Sequence, residues 1–154
     1  MLGVWLAPDG NNKKHVEEMR KNAMAWGAKV RTGAIDRQDA WRTMNMTIMK
    51  TLEYPLVALT LTEKECDHIM APVLAGALPR AGICRNIPRA VLYGNPEYQG
   101  LGVHNLYTTM GLHQLQALLD NIWKDTITGR LMRVSLESYK IGTGGHWVTI
   151  LQKL

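Results

Sequence analysis

Apolar residues recur every three or four positions along most of this 154-residue chain, and that period admits helices and little else. Val16, Met19, Ala23, Trp26 and Val30 share one face of a helix beginning near Asn12. Lys13, Lys14, Glu17, Arg20, Lys21 and Lys29 occupy its other face, and Gly33 ends it. Trp41, Met44, Ile48 and Leu52 draw the stripe of a second helix. Asp36 is its expected cap, the carboxylate accepting from N–H groups of the first turn. Pro55 lacks an N–H and is expected to kink or break this helix near Leu52, with Leu56 and Leu59 continuing the stripe beyond. Thr62 and Glu65 read as a capping box. It opens a third helix through Ile69, Met70, Val73, Leu74 and Leu78, closed by Pro79.

The period lapses over 79–105, where Pro79, Gly82, Pro88, Gly94, Pro96, Gly100 and Gly102 fall close together. Within it, PRAVLY reads as one short helix with Pro88 at its first turn. A fourth helix runs from about Leu106 through Leu112, Leu115, Leu118, Leu119 and Ile122. A fifth runs from about Thr128 to Tyr139, with Gly142 as its stop. LGVWL at 2–6 has strand composition and halts at Pro8-Asp9-Gly10, while 147–151 is also β-like. The expected fold is therefore mainly α: a bundle of about five helices with a short N-terminal strand and an irregular Pro/Gly-rich centre. It divides into 1–78, 79–105 and 106–154. A lone strand cannot satisfy its own backbone, so LGVWL is expected to pair with other sequence, and the chain reads as an excerpt.

Hydrophobic residues make up 46% and charged residues 20%, which places the chain among folded proteins. Phe is absent and Met numbers nine, so thioethers are expected to fill the core. Cys66 and Cys84 do not make a disulfide framework. The opening apolar run has no basic lead, and no stretch approaches the roughly 20 apolar residues of a membrane span. The expected setting is intracellular (nucleus or cytoplasm), away from membranes.

Few residues suggest chemistry. Cys66, His68, Cys84 and His104 lack the close ligand pairs of a zinc site, so no metal is expected. Cys84 lies between Arg80 and Arg85, which would favour a thiolate, yet no partnered base can be named. Capping accounts for Asp36 and Asp39. Gly-rich 141–145 lacks the GxxxxGK[ST] pattern of a phosphate loop. A stand-alone enzyme would need His104, His113 or His146 gathered with a carboxylate, and the sequence assigns no catalytic residue.

Charge is more informative. The net charge is +5, and residues 1–50 hold nine Lys/Arg against five Asp/Glu, whereas 51–78 hold one against four. Arg80, Arg85 and Arg89 then sit among apolar residues and prolines, with no acidic residue between Asp67 and Glu97. Either they pair with the acidic stretch of Glu53, Glu63, Glu65 and Asp67, or they meet an anionic partner.

Three stretches taken in order, LGVWLAPDGNNKKHVEEMRKNAMAW, KTLEYPLVALTLT and MAPVLAGALPRAGICRNIPRAVLYGNPEYQGLGVHNL, resemble the segment after the catalytic palm in reverse transcriptases of non-LTR-like retroelements. The matching words are Leu2-Gly3-Val4, for the strand that closes the palm, and Gly100-Leu101-Gly102-Val103 with Asn105-Leu106, for a GGLG-type motif. The resemblance implies a thumb and post-thumb segment whose catalytic carboxylates, and the Mg²⁺ they hold, belong to the missing palm. It implies no cofactor in this segment, and two partners: the rest of the polymerase and a nucleic-acid duplex (RNA/DNA or DNA/DNA). Lys13, Lys14, Lys21, Arg31, Arg80, Arg85 and Arg89 are then the expected phosphate-contacting residues. The alternative is a helical scaffold or protein-interaction module with incidental positive charge.

Overall fold

The computed structural model describes Val4 and residues 10–143, and these are mainly helical with no strand among them. They fall into two compact units, one up to His113 and one from Gln114. Of the strand expected over 2–6, Val4 alone is described, half-buried against the core. The rest of that stretch, and the β-like 147–151, lie outside the described residues.

In the first unit, α1 (Lys13–Thr32) and α4 (Glu63–Arg80) form the central pair. They run parallel. Asn12 Nδ2 donates to the Thr60 carbonyl at one end (2.9 Å), and Arg80 reaches the Arg31 carbonyl at the other. Between these points the backbones touch. A Cβ added at Gly27 would lie 2.5 Å from the Pro72 carbonyl oxygen, and one added at Gly76 would lie 2.6 Å from that of Gly27. Only glycine lets two helices approach so closely. Met19, Ala23 and Val30 of α1 are buried as their spacing predicts, while Val16 and Trp26 are half-buried. His15 is also buried, and its burial holds the imidazole pKa below the usual value, against the opposing pull of Glu18.

The connection between them breaks off its α-helix at Glu53, close to Leu52 where Pro55 was expected to kink or break it, but the part before the break is not one regular helix. It is a relay: α2 (Arg37–Thr43), a wide π turn (Met44–Ile48), α3 (Met49–Glu53) and a 3₁₀ turn (Tyr54–Ala58). The π turn re-aims the apolar stripe, so Met44, Ile48, Met49, Leu52, Leu56 and Leu59 all reach the core. Pro55 sits in the first turn of the 3₁₀ segment, where a missing N–H costs nothing. Asp36 precedes α2 in extended backbone, but its side chain makes no capping hydrogen bond. The Thr62–Glu65 capping box is present in full, with Glu65 N donating to Thr62 Oγ1 (3.3 Å) and Thr62 N to Glu65 Oε2 (2.8 Å). Pro79 does not close α4. The helix ends one residue later, because a proline near a C-terminus forfeits a single hydrogen bond and its neighbours hold the turn.

The connector packs into the same core. Pro88 leads into α5 (Arg89–Tyr93), as its sequence predicts, and Leu92 and Val103 are buried. The chain from 94 to 102 folds back on itself: Leu101 N donates to the Val91 carbonyl (2.8 Å), Gly102 N to Gly94 (2.9 Å) and Val103 N to Leu92 (3.1 Å). Gly102 has φ +66°, and Gly100 lies against the Gly94 carbonyl with no space for a Cβ. The Gly100–Val103 motif thus has a backbone reason to contain two glycines.

α6 (Leu106–Ile122) begins with Asn105, whose Oδ1 accepts from Tyr107 N and Thr108 N. Its start is anchored in the first unit by buried Leu106 and Met110, the Met110 sulfur accepting from Leu61 N at 3.4 Å. In the second unit, the end of α6 pairs with α7 (Ile127–Thr143). Gly129 is buried against the Asn121 carbonyl, and Arg133 donates to the Ile122 carbonyl at 3.3 Å. Gly142 was the expected stop but lies inside α7.

Candidate nucleic-acid interface

The seven expected phosphate-contacting residues occupy three places in the first unit. At the shared C-terminal end of α1 and α4, Nε (3.1 Å) and Nη2 of Arg80 both donate to the Arg31 carbonyl. That oxygen is among the four a helix leaves unsatisfied at its C-terminus, and a cation there also meets the negative end of the dipole. Arg80 is therefore partly spent inside the molecule. Arg37 lies against the turn that follows α4, since a Cβ on Gly82 would rest 3.4 Å from the Arg37 guanidinium. Arg37, Trp41 and Arg42 face Ala81 and Ile83 across an open cleft of about 340 Å³.

Arg85 and Arg89 line a second cleft, of about 290 Å³, whose floor is Ala71, Leu74 and Leu78 of α4. Both are exposed. The Arg89 guanidinium is 6.0 Å from the Tyr93 ring centroid and 3.5 Å from its hydroxyl oxygen, a cation–π arrangement that holds the side chain over the cleft. Burial raises the Tyr93 phenol pKa, and Arg89 opposes that shift. The phenol is therefore neutral at physiological pH and gives Arg89 no counter-charge.

Lys13 and Lys14 sit in the first turn of α1, about 27 Å along the helix from Arg31, with Lys21 exposed between them. Arg80 reaches the Arg31 carbonyl, and Arg85 and Arg89 line one cleft. The lysines join neither pair.

The acidic stretch does not neutralise the arginines. Among the described residues, no ion pair links Arg80, Arg85 or Arg89 to Glu53, Glu63, Glu65 or Asp67. Glu53 is instead buried, accepting from Lys50 Nζ (2.8 Å) and lying 2.6 Å from His104 Nδ1. Burial alone would raise its pKa, but the hydrogen bonds and charges of Lys50 and His104 outweigh it and hold the carboxyl below the usual value. Sequence reasoning missed this pair. The only local signal is a carboxylate adjacent to Leu52 within an apolar stripe.

His104 thus meets a carboxylate, yet the pair braces the end of α3 against the loop before α6 and lines neither arginine cleft. No three His, Cys, Asp or Glu side chains group to hold a metal among the described residues. Cys66 is buried, and its thiol is pushed up to about 11 by that burial, with Glu65 and Asp67 adding to the effect. No helix among the described residues is long and apolar enough to cross a membrane. Comparison with protein-family models, curated proteins and solved structures gives no match for this chain.

Proposed function

We propose that this chain is a non-catalytic nucleic-acid grip, the thumb-side part of a retroelement reverse transcriptase that holds a template–primer duplex through its phosphates. The observation that carries the reading is the arginine pair. Arg85 and Arg89 stand exposed over an apolar floor, and no carboxylate among the described residues pairs with either. Guanidiniums held this way suit phosphate, which they meet through fixed, paired donors. Lys13, Lys14, Lys21 and Arg31 extend positive charge along α1, and Arg80 adds to its far end.

The test is duplex binding followed by fluorescence anisotropy across a salt series. If six of these cations neutralise phosphates, the logarithm of the affinity falls with the logarithm of salt at a slope of about −5. A slope near zero, or no binding at low salt, overturns the proposal. A second reading, a helical scaffold with incidental charge, is favoured by Arg80, whose guanidinium is already taken up by the Arg31 carbonyl.

A further inference from the structure

The outward face of α7 sets four apolar residues and one serine in a strict four-three rhythm: Ile127, Leu131, Val134, Ser138, Ile141. Four of the five are large, and they are 72%, 62%, 63% and 84% exposed at Ile127, Leu131, Val134 and Ile141. The side of α7 that packs on α6 is centred elsewhere, on buried Gly129 and on Arg133, although Leu131 also borders an open groove with Leu118 of α6. Alternating steps of four and three are the core positions of a coiled-coil seam, which needs a second helix to cover it.

The charges beside the seam say which helix. Taking Leu131 and Ser138 as a and Ile127, Val134 and Ile141 as d, the g positions are Arg130 and Glu137. Two copies of α7 laid antiparallel put Leu131 of each opposite Val134 of the other and Ile127 of each opposite Ser138. In that register the flanking g positions face each other, so Arg130 of each copy meets Glu137 of its mate, twice, by symmetry. Their present partners are weak competitors: Arg130 is 3.8 Å from highly exposed Asp125, and Glu137 is held by Lys140 one turn away at 3.2 Å. In a parallel pairing, g meets e of the next heptad, and Ser135 and Gly142 offer the arginine and glutamate nothing ionic.

We propose that α7 is a self-association surface whose partner is α7 of a second copy of this chain, antiparallel, with Leu131 and Val134 at its centre and reciprocal Arg130–Glu137 pairs on its flanks. Because the seam spans only two heptads, the dimer is a weak one that forms and dissociates with concentration.

The experiment is sedimentation velocity on the full chain from roughly 1 to 300 μM, a range that brackets micromolar self-affinity. The expected result is a rise from 17.3 kDa toward twice that mass. Val134→Glu weakens association at least tenfold. Arg130→Glu and Glu137→Arg each weaken it severalfold, since each sets like charges face to face. Mixing those two single variants restores it, because the glutamate of one then meets the arginine of the other. The helical circular dichroism of every variant matches the parent, so loss of association is not unfolding. A monomer at every concentration overturns the proposal, as does a dimer indifferent to the single charge changes. So does a mixture that associates no better than its components.

Discussion

Glu53 Oε1 lies 2.6 Å from Nδ1 of His104, although fifty-one residues separate them in sequence. An ionised carboxylate only accepts, so Nδ1 carries the proton and donates. With Lys50 on the other oxygen, the pair ties the end of α3 to the loop that leads into α6. A carboxyl whose pKa falls on folding adds stability that is present above the ordinary glutamate value of about 4.3 and is lost as pH drops through the lower folded value. Glu53→Gln is expected to cost about 1–3 kcal/mol near neutral pH, and urea midpoints of the two proteins should converge as pH falls below the ordinary glutamate value.

Where α1 crosses α4, Gly27→Ala and Gly76→Ala should each destabilise by about 1–3 kcal/mol. Alanine gains up to about 1 kcal/mol of helix propensity over glycine, but the new Cβ meets backbone oxygen at 2.5 or 2.6 Å, and backbone cannot swing aside. Gly111→Ala is the control. Nothing lies within 4 Å of its Cβ position, so that variant should gain about 0.5–1 kcal/mol. Thermal midpoints of the three read the difference in sign directly.

Thr62→Ala removes the acceptor for Glu65 N and a donor to the Glu65 carboxylate. A lost N-cap costs about 1 kcal/mol. Its backbone and side-chain hydrogen bonds from Thr62 hold the Glu65 carboxyl below its usual value, so this stability too is present above the ordinary glutamate range and fades below it. Chemical denaturation at neutral and acidic pH should show the variant's deficit shrinking in acid.

The arginines should separate by role. Arg85→Gln with Arg89→Gln is expected to leave the melting temperature nearly unchanged while reducing the salt slope of duplex binding by about 2. Arg80→Gln is expected to lower stability by about 1 kcal/mol or more, because the Arg31 carbonyl loses its charged donor. Differential scanning calorimetry beside the binding titration distinguishes the two outcomes.

The two thiols should differ sharply toward a thiol reagent. Cys84 is exposed, whereas Cys66 is buried with its thiol pushed up to about 11. One equivalent should react at once at neutral pH, and the second only at the rate at which the protein unfolds.

Local signals carried much of the fold. The stripe of Met19, Ala23 and Val30, the Thr62–Glu65 box and Pro88 ahead of a short helix are each written within a few residues, and each appears where the sequence places it. The π turn over 44–48 was not legible, because it changes the helical period by a fraction of a residue within an unbroken apolar run. Nor was the single residue by which α4 runs on past Pro79.

Of the candidate interface, the sequence revealed the charge but not its distribution. That Arg80, Arg85 and Arg89 lacked acidic neighbours could be read directly from the chain. That Arg80 turns to a helix end while Arg85 and Arg89 overhang a cleft is decided by the parallel packing of α1 on α4 and the fold-back of the 81–103 connector. Period, caps and charge are properties of neighbours along the chain and can be read there. Which glycines let two backbones touch, and which histidine finds a buried carboxylate, depends on residues about fifty positions apart, and only the closed core brings those together.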